Sequence, residues 1–226
     1  MAASAHITRV DKDGTLILAD GRTAVLTGLR LPGMDGPSGA VAATALQMLR
    51  RLAMETPLTL TATAPEKDRY GRLRVQAFGT VWLQTEILRH GLARVSVTPD
   101  RQECTPDFYD AESAARVASL GVWSLPEFAV RDAQSLSAPP GSFQLVTGRV
   151  LNVASHDGRV FLDFNLDYRK GFSAIVTAAD HKSFRDAEPS LEDMAGHQVR
   201  LRGIVENFGE RLEMALFNPR QIEILK

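Results

Sequence analysis

The chain has 226 residues with a formal net charge of −1, and 44% of the residues are hydrophobic. This composition supports a folded core and excludes a disordered chain, while the near-zero charge excludes a global positive field that would gather nucleic acid. Fifteen basic and fifteen acidic residues precede Gly141, and eleven and twelve follow it, so neither half supplies such a field. The overall charge does not exclude a local stripe of basic residues.

The single cysteine, Cys104, excludes an internal disulfide and a cysteine metal site. No apolar run approaches the roughly 18 residues of a membrane span, so we expect no membrane-spanning segment. Residues 1–6 lack a basic end and an apolar core and are therefore not predicted to be a signal peptide. A trimmed exported form, periplasmic or secreted, stays open, and the compartment is not assigned.

The first half of the chain begins with short strand patterns and continues into a helix pattern. Residues 7–31 predict a meander whose turns are marked by Asp13-Gly14 and Asp20-Gly21. Residues 39–54 carry apolar side chains at helical spacing, so we expect an amphipathic helix there. An alternating strand is predicted at 58–62.

The stretch from 68 to 97 combines a charged turn, a strand and a helix. Asp68-Arg69-Tyr70-Gly71-Arg72 is typical of a turn, and residues 73–78 alternate in the way of a two-sided strand. Residues 81–90 predict a helix, and Gly91 stands where a left-handed cap would end it. A later helix is predicted to run to about Leu120.

These motifs, in this order, resemble the staphylococcal-nuclease (thermonuclease) family. The shared features are the Asp-x-Tyr-Gly-Arg turn, a helix ending in Gly91-Leu92-Ala93, and a last helix closed by Gly121-Val122-Trp123-Ser124. The resemblance spans roughly residues 7 to 124. It implies a five-stranded OB-like barrel with three helices, and for active members it implies calcium-dependent hydrolysis of DNA or RNA.

The resemblance also shows where this chain departs from the family. With Pro32 setting the register, the family's phosphate-binding arginine falls on Val25, its calcium-ligating aspartate on Arg30 and its water-activating glutamate on Gly33. All three functional side chains are absent at those positions. An arginine at the metal-ligand position would repel a cation, which disfavours metal binding more than a deletion would.

Three residues remain as catalytic candidates. Arg72 matches the family residue for residue, Asp13 matches one metal ligand, and Asp35 could substitute for the lost glutamate from a loop. One carboxylate holds Ca²⁺ poorly, because such sites need six to eight oxygens. We therefore expect no metal and no cofactor, with Ca²⁺ required only if the chain is an enzyme. Arg72 has a second interpretation, the stabilisation of its own turn through charge-assisted hydrogen bonds.

The second half is predicted to be a β-rich domain after a linker. Residues 126–141 are rich in Pro, Ser and Gly, and divide the chain into domains at 1–125 and 142–226. Three strands, a short helical segment and two more strands give the order of an OB-fold. The strands are predicted at 143–153, 159–166, 171–176, 198–206 and 211–216, with 221–225 closing the chain and short helices at 180–186 and 191–195.

The predicted fold class is therefore mainly β, with two OB-fold-like five-stranded barrels in tandem and three helices in the first. No convincing sequence repeat relates the two, although some bacterial thermonuclease-like proteins resemble this arrangement. Aromatic residues of the second barrel could stack on bases, while core positions are favoured for Phe161 and Phe172. The candidates are Phe161, Phe164, Tyr168, Phe172 and Phe208.

The missing catalytic side chains predict a nucleic-acid-binding or protein-interaction module, with a metal-dependent nuclease as the alternative, so three hypotheses follow. The first is weak, salt-dependent binding of single-stranded nucleic acid, and the second is a protein-interaction module, which the near-zero charge favours. The third is a metal-dependent nuclease with a rearranged site that uses Asp13, Asp35 and Arg72. The predicted nucleic-acid contacts are Arg30, Arg69, Arg72, Tyr168, Arg169 and Lys170; Arg74 could join them, unless strand alternation points it elsewhere.

Overall fold

A computed structural model of the chain describes residues 2–33, 39–97, 105–167 and 170–225. The chain divides into two compact units, Met1–Pro126 and Glu127–Lys226. Within the described residues, no helix is both long enough and apolar enough to cross a membrane.

The first unit is built on a six-stranded sheet. The strand order is β1-β6-β7-β4-β3-β2. Adjacent strands are antiparallel, except that β4 and β7 run parallel. A separate ribbon pairs β5 with β8. The strands are β1 (Ala2–Ala5), β2 (Ile7–Val10), β3 (Leu16–Leu18), β4 (Thr23–Leu26), β5 (Leu29–Arg30), β6 (Leu58–Lys67), β7 (Leu73–Phe78) and β8 (Arg94–Val95).

Three helices complete the first unit, and they confirm the predicted number. They are α1 (Gly39–Met54), α2 (Leu83–Arg89) and α3 (Thr105–Val117), and α1 has the predicted bounds. Leu49 of α1 and Ile87 and Leu88 of α2 are completely buried in the same core as the sheet residue Leu58. Each such side chain contributes about 1.5–3 kcal/mol through the loss of apolar surface to water.

Gly91 ends α2 as predicted, and it also explains the Gly-Val-Trp-Ser motif. Its φ is +66°, and the amides of Gly91 and Leu92 donate to the carbonyls of Leu88 and Ile87, which is the Schellman pattern. A Cβ on Gly91 would lie 2.2 Å from the Leu120 carbonyl oxygen, and one on Gly121 would lie 2.1 Å from the Gly91 oxygen. Only glycine allows these two backbones to approach so closely.

The second unit is built on an eight-stranded sheet. Its order is β11-β12-β13-β15-β14-β10-β9, and the last strand, β16, pairs with β14. Two 3₁₀ turns, His181–Phe184 and Glu192–Met194, occupy the place of the predicted short helices. The strands are β9 (Arg131–Asp132), β10 (Ser142–Arg149), β11 (Asn152–His156), β12 (Arg159–Asp163), β13 (Gly171–Val176), β14 (Gln198–Phe208), β15 (Arg211–Leu216) and β16 (Ile222–Leu225).

The two sheets follow the same path. In each, the first strand is interrupted, as β1 and β2 in one unit and as β10 and β11 in the other. In each, the third strand runs parallel to the fifth, β4 beside β7 and β13 beside β15, and the fourth strand pairs with the fifth and the first. The prediction of tandem OB-like folds in a mainly β protein is confirmed.

Several predicted details of the second half are wrong. The strand expected at 143–153 is two strands, because the Val150 amide donates to the His197 carbonyl and the Leu151 amide to that of Asp163, so the chain changes neighbours there. Two residues of the predicted linker, Arg131 and Asp132, form β9 and pair in parallel with β10.

The preference for Phe161 in the core is also wrong. Its neighbours Val160 and Leu162 belong to the core, so alternation along β12 turns Phe161, which is half-buried, to the opposite face. Phe164 and Phe172 are buried in the core, and the prediction for Phe172 is confirmed. Phe208, at the end of β14, is 59% exposed.

Candidate functional site

Arg72 lies at the centre of a hydrogen-bonded cluster at one end of the first sheet. Its Nε donates to Asp68 Oδ2 at 2.8 Å, and its Nη1 donates to Asp13 Oδ2 at 3.0 Å and to Thr15 Oγ1 at 2.9 Å. Thr15 in turn donates its hydroxyl to Asp13 at 2.9 Å. One guanidinium therefore joins the β6–β7 turn to the turn before β3, 59 residues away in the chain.

The turn itself fixes Asp68 for this role. Asp68 Oδ1 accepts the backbone amides of Tyr70 at 2.9 Å and Arg72 at 3.0 Å, so its other oxygen faces the guanidinium. Gly71, at φ +78°, supplies the left-handed residue that the turn needs. The interpretation of Asp-x-Tyr-Gly-Arg as a self-stabilised turn therefore has direct support in this geometry.

The two carboxylates are electrostatically adapted to the arginine. Burial alone would raise the pKa of Asp13, but hydrogen bonds from Thr15 and the charge of Arg72 outweigh it and lower that pKa below 3.8. Burial would also raise the pKa of Asp68, but hydrogen bonds from Arg72 and Tyr70 outweigh that effect and lower it. Both groups are therefore held as carboxylates facing Arg72.

Beside the cluster lies a cavity of about 270 Å³. Its charged lining consists of Asp13, Arg72 and Arg74, and the Arg74 guanidinium also donates to the Ala64 carbonyl at 3.2 Å. Together with Asp68, which pairs with Arg72, the cluster contains two guanidinium groups and two carboxylates. The rest of the lining is mostly apolar and consists of Gly14, Val25, Leu26, Thr27, Gly28, Leu29, Leu31, Leu49 and Ser96.

Of the three positions where the family resemblance implies catalytic groups, Val25, Arg30 and Gly33, the cavity is lined by Val25 alone. Val25 pairs with Arg74 across the parallel strands. Arg30 lies on β5 opposite Arg94, and the cavity is lined by its neighbours Leu29 and Leu31 instead, as alternation along an extended segment requires. Gly33 is exposed.

Three of the predicted site residues, Asp35, Tyr168 and Arg169, lie outside the described residues. Lys170 is exposed and belongs to the second unit. Arg69 is exposed beside the cluster, and its guanidinium lies 4.8 Å from the ring centroid of Tyr70, which is itself 66% exposed.

The predicted site also omits residues that the structure places in it. Thr15 bridges Asp13 and Arg72, and Ser96 lines the cavity although it follows a strand far along the chain. The Asp-x-Thr spacing around Gly14 is the sequence signal that could have identified Thr15, because it is typical of a side chain that binds its own turn. Ser96 has no comparable signal.

Metal-ligand chemistry is sparse in this region. Across the described ranges, no group of three or more His, Cys, Asp or Glu side chains is placed to hold a metal ion. Asp13 is the single carboxylate among the described residues that line the cavity, and one of its oxygens already accepts from Thr15 and Arg72.

Comparison with known proteins identifies the domain around this cluster. The profile of the family described as staphylococcal nuclease homologue matches residues 29–125, and no curated protein matches the chain. The matched segment includes the Arg72 turn and the contact between Gly91 and Gly121, and it covers less than half of the chain. Together with the OB-like sheet and its three helices, this match shows that the first unit carries a staphylococcal nuclease homologue domain.

Proposed function

We propose that the nuclease-like unit no longer catalyses metal-dependent phosphodiester hydrolysis and acts as a protein-binding module. The observation that carries this proposal is the engagement of Arg72 by Asp13, Asp68 and Thr15. A guanidinium that would stabilise charge on a phosphoryl group must present free donors to that group. Here two carboxylates and a hydroxyl of the same chain engage three of the five guanidinium N–H donors, and the carboxylates offset its charge.

The other catalytic requirements are not met by the cavity. Hydrolysis of this kind needs oxygen ligands for Ca²⁺ and a base that orients water. Val25 and Gly33 offer neither, and the described lining supplies one carboxylate, which is shared with Arg72. These residues do not fit a calcium ion, and we derive no step through one.

The nature of the cavity favours a protein partner. Its walls are largely aliphatic, with Val25, Leu29 and Leu31 among them, and the charge of Arg72 is offset by its ion pairs with Asp13 and Asp68. A phosphate would gain little from an arginine that is already paired, whereas an apolar side chain of a partner would lose its contact with water against these walls. The small net charge of the chain points the same way.

A cleavage assay tests the loss of catalysis. Single-stranded DNA and RNA are incubated with the full chain in Ca²⁺ and in EDTA, with Arg72→Ala and Arg22→Ala in parallel. Arg22 is an exposed arginine paired with Asp20, so it serves as the matched control. We expect equal, background cleavage in all lanes. Calcium-dependent cleavage that is lost in Arg72→Ala but kept in Arg22→Ala would restore the metal-dependent nuclease.

A pull-down from source lysate tests the partner class. Lysate is divided and one half is treated with nuclease, and the bait is compared with Val25→Lys and Val81→Lys variants. Val25 lines the cavity, whereas Val81 is exposed elsewhere on the unit. We expect a protein that survives nuclease treatment, is lost with Val25→Lys and is kept with Val81→Lys. A partner released by nuclease would contradict the protein-binding assignment.

One observation favours a second candidate, the binding of single-stranded nucleic acid. Arg69 and Tyr70 form an exposed cation–π pair beside the cluster, and such pairs offer a phosphate contact next to a stacking face. Fluorescence anisotropy with labelled oligonucleotides at low and high salt tests it, with Arg69→Gln as the variant. A salt-dependent signal that weakens in Arg69→Gln supports this candidate, and no signal at low salt removes it.

A further inference from the structure

The outward face of the second unit's sheet carries a cavity of about 540 Å³. It lies where β11 and β12 run side by side, with Asn152 opposite Asp163 and Ala154 opposite Phe161. The lining residues are Asn152, Ala154, His156, Phe161, Asp163 and Arg211.

Asp163 is the unusual member of this lining. It is only 4% exposed, and its carboxylate accepts the Ser173 hydroxyl at 2.8 Å and the Asn152 amide at 3.3 Å, both of which are neutral donors. Within the described ranges, no ion pair joins it to a basic side chain. A buried carboxylate without a counter-ion is costly, so a neighbouring cavity large enough for a cation is significant.

Other buried charges of the same unit are paired. Glu223 holds both Arg200 and the fully buried Arg202, and Glu213 holds Arg211. The Arg211 guanidinium also lies 5.6 Å from the ring centroid of Phe161 and 5.3 Å from that of Phe208. This face therefore already binds one guanidinium through aromatic rings and a carboxylate, and Glu213 offsets that charge locally.

We propose that the cavity binds the guanidinium group of an arginine from a protein partner, between the Asp163 carboxylate and the ring of Phe161. A planar guanidinium stacks on an aromatic face and forms two parallel hydrogen bonds to a carboxylate, which a rounder ammonium cannot do equally well. Asn152 and His156 add polar groups at the rim. A nucleobase could stack on the same ring, but its phosphates would meet an uncompensated carboxylate.

This proposal is independent of the function proposed for the first unit, because the two rest on different residues and different experiments. The probe is Nα-acetyl-arginine methylamide, and its neutral control is the citrulline analogue of the same shape. Both are titrated into the ¹⁵N-labelled full chain, and amide chemical shifts of residues 152–163 are followed. We expect saturable shifts with the arginine compound and binding at least about tenfold weaker with citrulline.

Two variants separate the site from general electrostatics. Asp163→Asn keeps the size of the side chain, whereas Asp157→Asn removes a carboxylate that is 82% exposed next to His156. We expect Asp163→Asn to weaken binding at least about tenfold and Asp157→Asn to change it less than about twofold. Because removing an unpaired buried charge relieves the free protein, Asp163→Asn should keep or raise the midpoint of thermal unfolding.

Clear outcomes would overturn the proposal. They are equal affinity for arginine and citrulline, equal losses in the two variants, or no saturable shifts with either compound. Shifts at these amides produced by a short oligothymidylate and not by the arginine compound would assign the cavity to bases instead.

Discussion

The two units place an arginine at the same point of the same topology. Arg72 immediately precedes β7, and Arg211 is the first residue of β15, so each stands where the fourth strand turns into the fifth. Each guanidinium also lies near an aromatic ring of its own hairpin, Tyr70 at 5.2 Å and Phe208 at 5.3 Å. The two arginines share a place on the path of the sheet, although no sequence repeat relates the two hairpins.

The carboxylates differ, and that difference determines what each arginine does. Arg211 is held by Glu213, two residues along the same strand, and connects nothing distant. Arg72 is held by Asp68 of its own turn and by Asp13 of another hairpin. Arg72 is therefore a cross-link between turns, whereas Arg211 forms a local pair and leaves Asp163 of its cavity without a basic partner among the described residues.

The largest expected effect concerns a contact that distinguishes the first unit, in which α2 meets the closing turn. Gly91→Ala should destabilise that unit by about 3 kcal/mol, because alanine is strained at positive φ and its Cβ would overlap the Leu120 carbonyl. Both tryptophans, Trp82 and Trp123, lie in this unit, so fluorescence during urea unfolding measures it.

Gly21→Ala is the matched control for that prediction. Gly21 has a similar φ of +84°, but a Cβ there would have no atom within 4 Å. Its cost should be about 1 kcal/mol, from backbone strain alone. Equal losses at Gly21 and Gly91 would mean that the close approach to Leu120 contributes nothing.

The comparison of the two arginines predicts a smaller effect. Arg72→Met should destabilise the first unit by about 2 kcal/mol, because it leaves two carboxylates without their donor. Arg211→Met should cost about 1 kcal/mol or less in the second unit, because one carboxylate is freed and the methionine still packs on the rings. Circular dichroism during urea unfolding follows the second unit. A larger loss for Arg211→Met would contradict the distinction between cross-link and local pair.

Asp13→Asn isolates the distant half of the cross-link. Its side chain is 60% exposed, so the ion pair is screened by water and the loss should be about 0.5–1 kcal/mol. Asp11→Asn is the control, since Asp11 forms an ion pair with the exposed Arg9, two residues away in the same hairpin. Chemical unfolding followed by tryptophan fluorescence compares the two. If Asp13→Asn costs no more stability than Asp11→Asn, then Asp68 is the one carboxylate of the two that stabilises the unit through Arg72.

Acid titration should produce the mildest change. Asp13 and Asp68 have pKa values lowered below 3.8 in the folded unit, so they stabilise it above that pH. This contribution is lost as the pH falls below 3.8 and through the folded-state values. Urea midpoints measured from pH 5 to pH 2 should therefore fall less steeply in Arg72→Met than in the wild type. Parallel curves would show that Arg72 does not set the two pKa values.

Local sequence patterns predicted the elements well. The helix at 39–54 and the strands at 171–176 and 211–216 have their predicted bounds, because apolar spacing and flanking turns mark them. Gly91 was identifiable as a cap for the same reason. Phe161 was not assignable to a face, because a two-sided strand with apolar residues on both sides gives no alternation to read.

Contacts between residues far apart in the chain could not be predicted from the sequence. The bond between Arg72 and Asp13 joins residues 59 positions apart, and only the fold brings them together. Arg30 was expected to place its charge in the cavity, but whether a strand presents Arg30 or its neighbours Leu29 and Leu31 depends on the pairing of β5 with β8. The break at Val150 likewise depends on which neighbour each amide finds.

The central proposal, that the chain's own charges close the Arg72 cluster to a metal ion, is tested most directly by a calcium titration. Amide resonances of Asp13, Gly14 and Thr15 and the Arg72 Nε–H signal are followed by NMR as Ca²⁺ is added to millimolar concentration. We predict no saturable change at these groups and a persistent bond from Arg72 to Asp13. Saturating shifts at Asp13, with release of the Arg72 signal, would contradict the account.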